Sequence, residues 1–317
     1  PITGTVRQIF NTVDELGNEL TIVSTDTKIY RKGAGTMTDI TGTITTPTAG
    51  NWKFYNHNNE IFGTQLGHSA IKLGTPSSGS FANASFTGVN APTESRIIDS
   101  LSAFGRVWHL WTDTSGVGYL TYSTTLLPED YAVGGSSDSG YFNLNASYLS
   151  GQAVPTAIGE FNGNLLVFTE KQVTVWADPW NPNAVSSGGG SGGAYQGGMA
   201  ILETIGGVGC VARDSIQYTQ NDLLFLSEQG ITSLSRVVQE KSMPLNRYSD
   251  NIRTEMRRLI REVTPSSIWS TYLEGKGLYI IGSSESEVTY LIDVATQLPD
   301  ETYRCLSWTK SINYMAV

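Results

Sequence analysis

The chain alternates short apolar runs with polar breaks, and one stretch shows this pattern most clearly. Residues 223–236, LLFLSEQGITSLSR, contain an apolar run, a tight polar break and then an alternating run. This order of an apolar run, a turn signal and an alternating run is the pattern of a β-hairpin. The segment contains no residue type that suggests catalysis. Its structural role is indicated by its recurrence along the chain.

Near-copies of this segment occur throughout the sequence. Apolar runs that open the same pattern start near residues 20, 107, 165, 223 and 278, and a weaker copy lies at 51–65. The runs near 107, 165, 223 and 278 are preceded by a further predicted strand and a short turn, as in AIGEFNGN before Leu165. The repeated unit is therefore strand, turn, apolar strand, turn and alternating strand.

A unit of three or four antiparallel strands every ~40–60 residues is typical of a β-propeller blade. One small sheet cannot bury both of its faces, but a ring of sheets can, because each sheet packs on the next. The middle strand is then covered on both sides, which predicts continuous apolar runs such as LLFL, LLVF and LYII. We therefore predict an all-β fold, a β-propeller of about six blades, with a β-sandwich or a parallel β-helix as alternatives.

The predicted propeller takes up residues 1–317 as a single domain. The chain stops at SWTKSINYMAV, which has the pattern of an unfinished strand. We expect either that the sequence is a fragment of a longer natural chain or that its last strand completes a unit begun at the N-terminus.

Two insertions interrupt the strand pattern. Residues 181–198, NPNAVSSGGGSGGAYQGG, have the composition of a flexible loop. Within the second insertion, 246–265, apolar residues recur at helical spacing and predict an amphipathic helix over residues 249–263. Ser249 or Asp250 can cap the start of this helix, and Pro265 can end it.

The polar face of the predicted helix carries the sharpest functional candidate in the chain. Arg253, Arg257 and Arg261 follow one another at four-residue steps, and Arg258 lies beside them. We expect these four arginines to form a docking face for another protein subunit. A solvated face with local glutamate partners, and a face that binds phosphates or nucleic acid, remain as alternatives.

Composition limits the remaining classes of function. The formal net charge is −9, whereas sequence-specific nucleic-acid binding needs a basic surface. Cys210 and Cys305 show no metal-ligand spacing, so we expect no zinc site and favour two buried thiols over a disulfide. No apolar run approaches the ~18 residues of a membrane span, and we predict neither a membrane anchor nor a cofactor.

Signatures of catalysis are weak in this sequence. His57, His68 and His109 lie outside any recognisable serine or cysteine signature. A GxSxG match at 189–193 has no strand before it and no helix after it, so it does not fit a nucleophile elbow. We predict that the protein is not an enzyme and has no catalytic or metal-binding residues. A partial Asp box, SSDSGYFN from Ser136, keeps a carbohydrate-binding or glycoside-hydrolysing propeller as the alternative function.

Several blade segments resemble a known family. The stretches GVGCVARDSIQYTQNDLLFLSEQGITSLSR, AIGEFNGNLLVFTEKQVTVWADPWNP and SAFGRVWHLWTDTSGVGYLTYSTTLLPEDY look like blades of the tail nozzle or hub proteins of short-tailed, podovirus-type bacteriophages. These proteins are also called tail tubular or head-to-tail stabilisation proteins. The arginine-bearing helix after the GITSL strand is similar too. The resemblance covers about residues 19–300 and rests on blade patterns, not on invariant catalytic residues.

The resemblance implies a structural virion protein, made in the host cytoplasm and located in the phage tail. Such proteins form a ring, usually sixfold, below the portal and adaptor, where they extend or close the DNA channel. The implied partners are other copies of the chain, a tail adaptor or portal-side protein, and tail fibres or a needle. Genomic DNA is expected to pass through the channel without specific binding. The family offers no catalytic residues to transfer.

Overall fold

Short antiparallel strands separated by tight turns form almost all of the regular structure, as the repeated hairpin pattern predicts. A computed structural model describes residues 2–33, 36–44, 51–134, 137–147, 153–180, 182, 199–242 and 248–309. Six small antiparallel sheets follow one another along the chain and stand in a ring, which is a β-propeller. The predicted fold class is confirmed. The glycine-rich segment 181–198 lies outside the described residues except for Pro182.

In the first three blades the strands are ordered within each sheet as they are in the chain. Blade 1 contains β1 (Val6–Val13), β2 (Glu19–Thr25), β3 (Ile29–Lys32) and β4 (Met37–Asp39). Blade 2 contains β5 (Lys53–His57), β6 (Glu60–Thr64), β7 (Ile71–Leu73) and β8 (Ala82–Asn83). Blade 3 contains β9 (Ile97–Ala103), β10 (Arg106–Thr112), β11 (Gly118–Tyr122) and, after a ribbon of β12 (Val133–Gly134) and β13 (Ser137–Asp138), β14 (Gly140–Asn143).

The second half of the chain repeats this arrangement, except that its middle blade has three strands. Blade 4 contains β15 (Pro155–Phe161), β16 (Asn164–Thr169), β17 (Gln172–Ala177) and β18 (Ala200–Gly206). Blade 5 contains β19 (Gln217–Tyr218), β20 (Leu223–Ser227) and β21 (Gly230–Ser233). Blade 6 contains β22 (Ile268–Leu273), β23 (Leu278–Ser283), β24 (Val288–Gln297) and β25 (Tyr303–Thr309).

The α-helices of the described chain both follow blade 5. They are α1 (Leu234–Glu240) and α2 (Arg253–Glu262). Short 3-10 turns lie at Glu94–Arg96, Leu144–Ser147, Arg213–Ser215, Asp250–Ile252, Pro265–Ser267 and Glu274–Lys276.

The core consists of layers between neighbouring blades, and β20 shows how they form. Successive side chains of a strand point to opposite faces of the sheet. Leu223 and Phe225 therefore pack against blade 4, where the ring of Phe225 lies 5.2 Å from that of Phe168. Leu224 and Leu226 point the other way and pack against blade 6. The continuous apolar run thus serves two interfaces at once, as predicted.

The final described strand closes its own blade. β25 pairs with β24 from Val288↔Thr309 to Gln297↔Tyr303, and the four strands of blade 1 all come from residues 6–39. The alternative that the last strand completes a unit begun at the N-terminus is therefore wrong for β25. Residues 310–317 lie outside the described part of the chain.

The predicted helix over 249–263 is confirmed, although its capping differs from the prediction. The turn Asp250–Ile252 leads into α2, and no side chain caps the first residue of α2. The Ser249 hydroxyl instead accepts a hydrogen bond of 2.9 Å from the backbone N–H of Ile231. The other helix, α1, was not predicted. Its start in "SLSR" continues the alternating pattern of β21, but Ser233 caps a helix there by accepting from the N–H of Arg236 at 3.2 Å.

The two-sided burial of β20 gives a direct stability test. Phe225→Ala removes a fully buried ring from between two blades, and we expect it to lower the free energy of unfolding by about 3–5 kcal/mol. Leu202→Ala is the matched control, since the Leu202 side chain is 63% exposed on β18, and we expect a change within about 0.5 kcal/mol. Urea denaturation measures both. Equal effects would contradict the layered core.

Candidate functional site

The segment that leads into helix α2 lies along the open edge of blade 5, where an outermost strand would otherwise pair. β21 is the edge of a three-stranded sheet, and an exposed edge leaves backbone groups unpaired. The residues before α2 pair with this edge, because Ile231 donates to the Ser249 hydroxyl and accepts from the N–H of Tyr248 at 3.2 Å. Gly230 permits this approach, since a Cβ there would lie 2.3 Å from the Ser249 oxygen.

The same segment is also fixed to blade 6. The side-chain amide of Asn251 donates to the backbone carbonyl of Tyr303 at 2.8 Å, and the rings of Tyr248 and Tyr303 are 4.5 Å apart. Met256 and Leu259 are buried in the core between blades 5 and 6. Helix α2 is therefore held from its inner face by two blades, and its outer face has a defined position on the rim of the propeller.

The predicted arginines lie together on this outer face. Arg253, Arg257, Arg258 and Arg261 are all exposed. Arg258 forms an ion pair with Glu262, with 2.8 Å between Nε and the carboxylate. The other three form no ion pair or hydrogen bond with any residue in the described ranges. The structure thus brings the predicted residues together, and leaves three positive charges side by side on the rim of an acidic protein. Their role in docking stays a prediction.

The centre of the ring is occupied by a charged cluster that the sequence did not reveal. Arg213, just before β19 of blade 5, donates to the carbonyls of Asn51 and Ile98 at 3.1 Å each. These carbonyls belong to blades 2 and 3, and blade 2 stands three positions from blade 5 in a ring of six. A bond between blades 2 and 5 must cross the axis. The Asn51 side chain also donates to the Ser266 carbonyl before blade 6 at 2.8 Å.

The pKa values of two buried carboxylates in this cluster are shifted in opposite directions. Burial alone raises the pKa of Asp214, but Arg213, with 2.9 Å between its Nη2 and the carboxylate, acts together with Lys53 and Asn51 and holds that pKa below its usual value. Burial raises the pKa of Asp99 above its usual value, although Lys53 at 3.7 Å and Arg213 act in the opposite direction. Paired charges and hydrogen-bonded carbonyls therefore occupy the axis of the ring.

A cleft of about 510 Å³ opens over blades 1 to 3. Its lining includes the carboxylates of Glu15, Glu60, Glu129 and Asp130, with Lys72 among them. The Lys72 ammonium lies 3.0 Å from Glu60 and 2.7 Å from Glu129. Desolvation lowers the pKa of Lys72, but these two hydrogen bonds outweigh it and raise that pKa above its usual value. Sequence reasoning missed this cleft because its residues come from three separate blades.

Two exposed leucines form one rim of the cleft. Leu126 and Leu127 are 57% and 53% exposed, and Leu126 has a left-handed backbone with a φ of +59°. The loop is nevertheless well fixed, since the N–H of Leu126 donates to the carbonyl of Gly105 at 2.9 Å and that of Thr124 donates to Asp130 at 2.8 Å. An unfavourable backbone that exposes two leucines is held in place by its hydrogen bonds, which is typical of functional loops.

The partial Asp box has a structural role in blade 3. Asp138 accepts hydrogen bonds from the guanidinium of Arg106 and, at 3.0 Å, from both the N–H and the hydroxyl of Thr125. Arg106 is only 5% exposed, so this carboxylate balances a buried charge. Burial by itself raises the pKa of Asp138, but the Arg106 and Thr125 bonds lower it to about 2.

The remaining candidate groups are held within the blades. Burial lowers the pKa of His109 to about 3, and its Nδ1 lies 2.8 Å from the Ser100 hydroxyl. Both cysteines are free thiols, and burial raises the pKa of Cys210 to about 12. In the described ranges, no group of three or more His, Cys, Asp or Glu residues could hold a metal ion. None of the helices described above is long and apolar enough to cross a membrane.

Comparison with known proteins supports the fold alone. The sequence matches no protein-family model and no curated protein. Among solved structures, it is similar to the extracellular domain of a putative hybrid two-component system from B. thetaiotaomicron, with a TM-score of 0.54 and 12% identity. The match covers 98% of this chain and 38% of that one, so this chain spans well under half the length of that structure.

The axial cluster predicts that one arginine is unusually important for stability. Arg213→Met removes the bonds across the axis and leaves the buried Asp214 carboxylate without its cation, so we expect a loss of about 3–5 kcal/mol in unfolding free energy. Arg258→Met, which breaks an exposed ion pair, is the control and should change little. If chemical denaturation shows similar losses for both variants, the blades do not depend on the axial cluster.

Asp138 predicts a defined pH dependence. Its folded pKa of about 2 lies below the ordinary value of 3.8, so its stabilising effect is full above pH ~4 and is lost as the pH falls towards 2. Asp138→Asn should therefore cost about 1 kcal/mol at pH 7, after allowance for a half-exposed side chain, and progressively less in acid. Denaturation between pH 7 and 2.5 tests this. A difference that stays constant with pH would contradict it.

Proposed function

We propose that this protein is a structural subunit of an oligomeric ring, a nozzle or hub component of the tail of a short-tailed bacteriophage. The observation that carries this proposal is the outer face of α2, where Arg253, Arg257 and Arg261 stand exposed without an ionic partner in the described chain. The blade patterns that resemble those of tail nozzle proteins support the specific setting.

The arginine face has the properties of a docking surface. Like charges spaced four residues apart on a helix destabilise it by a few tenths of a kcal/mol per pair. An acidic surface on a neighbouring subunit relieves this repulsion, and arginine forms bidentate bonds with carboxylates. Because α2 is fixed to blades 5 and 6, little order is lost when a neighbour binds. A chain with a net charge of −9 offers acidic surface of the required kind.

The closed axis determines where DNA would pass in such a ring. The Arg213 side chain crosses the centre of the propeller, so a duplex cannot run through a single subunit. The channel would instead lie between subunits, at the centre of the ring of copies. Its wall would belong to an acidic protein, which repels phosphates and allows DNA to slide. A tail adaptor or portal-side protein and fibres or a needle would bind the outer surfaces.

The carbohydrate alternative gains no specific support from the cleft over blades 1 to 3. Glu60 and Glu129 form a carboxylate pair there, but Lys72 lies between them and binds both. The described lining contains no aromatic side chain on which a sugar ring could stack.

The proposal predicts self-association that depends on the arginines. The wild-type chain should sediment as a closed oligomer in analytical ultracentrifugation, whereas Arg253→Glu/Arg257→Glu/Arg261→Glu should sediment as a folded monomer, because each docking charge is reversed. The control Lys32→Glu/Lys171→Glu/Lys276→Glu makes the same change in net charge at exposed sites outside α2 and should still assemble. A wild-type monomer at tens of micromolar, or an unaffected arginine variant, would refute the docking role.

The phage setting has its own test. Mass spectrometry and immunogold electron microscopy of purified particles should detect the chain at the distal end of the tail. Its absence from particles would refute the tail role even if the chain assembles in solution.

A further inference from the structure

The arginine face and the acidic cleft lie on different sides of the molecule. Helix α2 stands on the rim at blades 5 and 6, whereas the cleft is formed by blades 1 to 3. In a ring of six blades the centres of these places are between two and three positions apart, and within the described residues the arginines form no ion pair with the cleft of their own subunit. Any contact between them joins two copies.

The charges of the two surfaces are opposite in sign and equal in size. The four carboxylates and one ammonium of the cleft leave a formal charge of −3. The outer face of α2 contributes three arginines that lack an ionic partner within the described residues. Glu60 and Glu129 are only partly used by Lys72, since an ionised carboxylate can accept about four hydrogen bonds. The cleft can therefore accept guanidinium groups without first releasing its own lysine.

The apolar rim of the cleft suits a long basic side chain better than a bare ion. Leu126 and Leu127 border the cleft on the side of blade 3, and Leu16, 72% exposed, follows Glu15 on the side of blade 1. The methylene stems of arginine can cover such leucines while the guanidinium reaches the carboxylates behind them. The fixed loop around Leu126 supplies this rim without reorganisation.

The geometry also favours a head-to-tail contact over a symmetric one. Pairing α2 with α2 across a two-fold axis would bring six unneutralised arginines together. The cleft is lined by the β1–β2 and β5–β6 turns, at Glu15 and at Asn58 and Asn59, and so opens towards a flat face of the propeller, whereas α2 lies on the rim. Rim-to-face contact rotates each copy against the last, and a repeated rotation can close a ring.

We infer that the arginine face of α2 binds in the acidic cleft over blades 1 to 3 of the next copy of this chain. This inference rests on the proposed self-assembly and specifies the acceptor surface, which the proposal leaves open. It assigns Glu60, Glu129, Leu126 and Leu127 to the interface.

A single charge reversal in the cleft tests the acceptor surface. In the chain of 317 residues, Glu60→Lys should weaken self-association at least about tenfold in analytical ultracentrifugation, because it places a cation against the arginines. The matched control is Glu203→Lys. Glu203 is a partly buried glutamate on blade 4, away from the cleft, and it forms an ion pair with Lys241. Leu127→Ser provides a second test, because this exposed side chain can be replaced without disturbing the core, and it should also weaken association.

Mixing two defective variants gives the most specific readout. The Glu60→Lys chain keeps an intact α2, and the triple arginine-to-glutamate chain keeps an intact cleft. Each fails to assemble alone, yet a mixture should form mixed pairs, since the arginine helix of the Glu60→Lys chain meets the native cleft of the other chain. An interface in which α2 pairs with α2 would not show this rescue.

The outcomes separate the inference from the proposed function. If the wild type assembles and the arginine variant does not, but Glu60→Lys and Leu127→Ser assemble normally, the acceptor lies elsewhere and this inference is wrong while self-assembly stands. Failure of the mixture to associate also refutes it. If the wild type is a monomer, the inference and the proposed self-assembly are both wrong.

Discussion

Each blade of this protein has two apolar faces and can bury both only between two neighbours. This constraint requires the ring, because an open row of sheets would leave the faces of its end blades in water. It also explains why β20 is apolar from Leu223 to Leu226, with Leu223 and Phe225 facing blade 4 and Leu224 and Leu226 facing blade 6. The side chains of the central strands therefore pack in the core, and the surface available for function lies at turns, edges and insertions.

Blade 5 shows how one departure from the repeat creates a surface. Its sheet ends at β21, and the chain then forms helices in place of a fourth strand. Ser249 and Tyr248 pair with the backbone of Ile231 and so protect the sheet edge, while Met256 and Leu259 fill the core layer. A fourth strand would offer only alternate side chains to solvent. A helix presents a continuous outer face, on which arginines four residues apart stand side by side.

The axis and the cleft depend on contacts between blades that are distant in sequence. Arg213 binds carbonyls of blades 2 and 3, and Lys72 binds Glu129 across 57 residues. Charged groups that converge from several blades fix the blades relative to one another, and they also give different parts of the surface different signs of charge. The acidic cleft and the basic rim are opposite in charge and lie at different blades, which is the arrangement that a head-to-tail assembly requires.

The hairpin repeat, the number of blades and the amphipathic helix with its four arginines were predictable from the sequence, because each depends on periodicity within a few residues. The start of α1 was not, since "SLSR" continues the alternation of β21 and only the missing fourth strand turns it into a capped helix. The capping role expected of Ser249 was wrong for the same reason, because the open sheet edge takes its hydroxyl. The axial cluster and the cleft needed the tertiary structure. Their residues are ordinary in local context, and only closure of the ring brings Arg213 to Asn51 and Lys72 to Glu129.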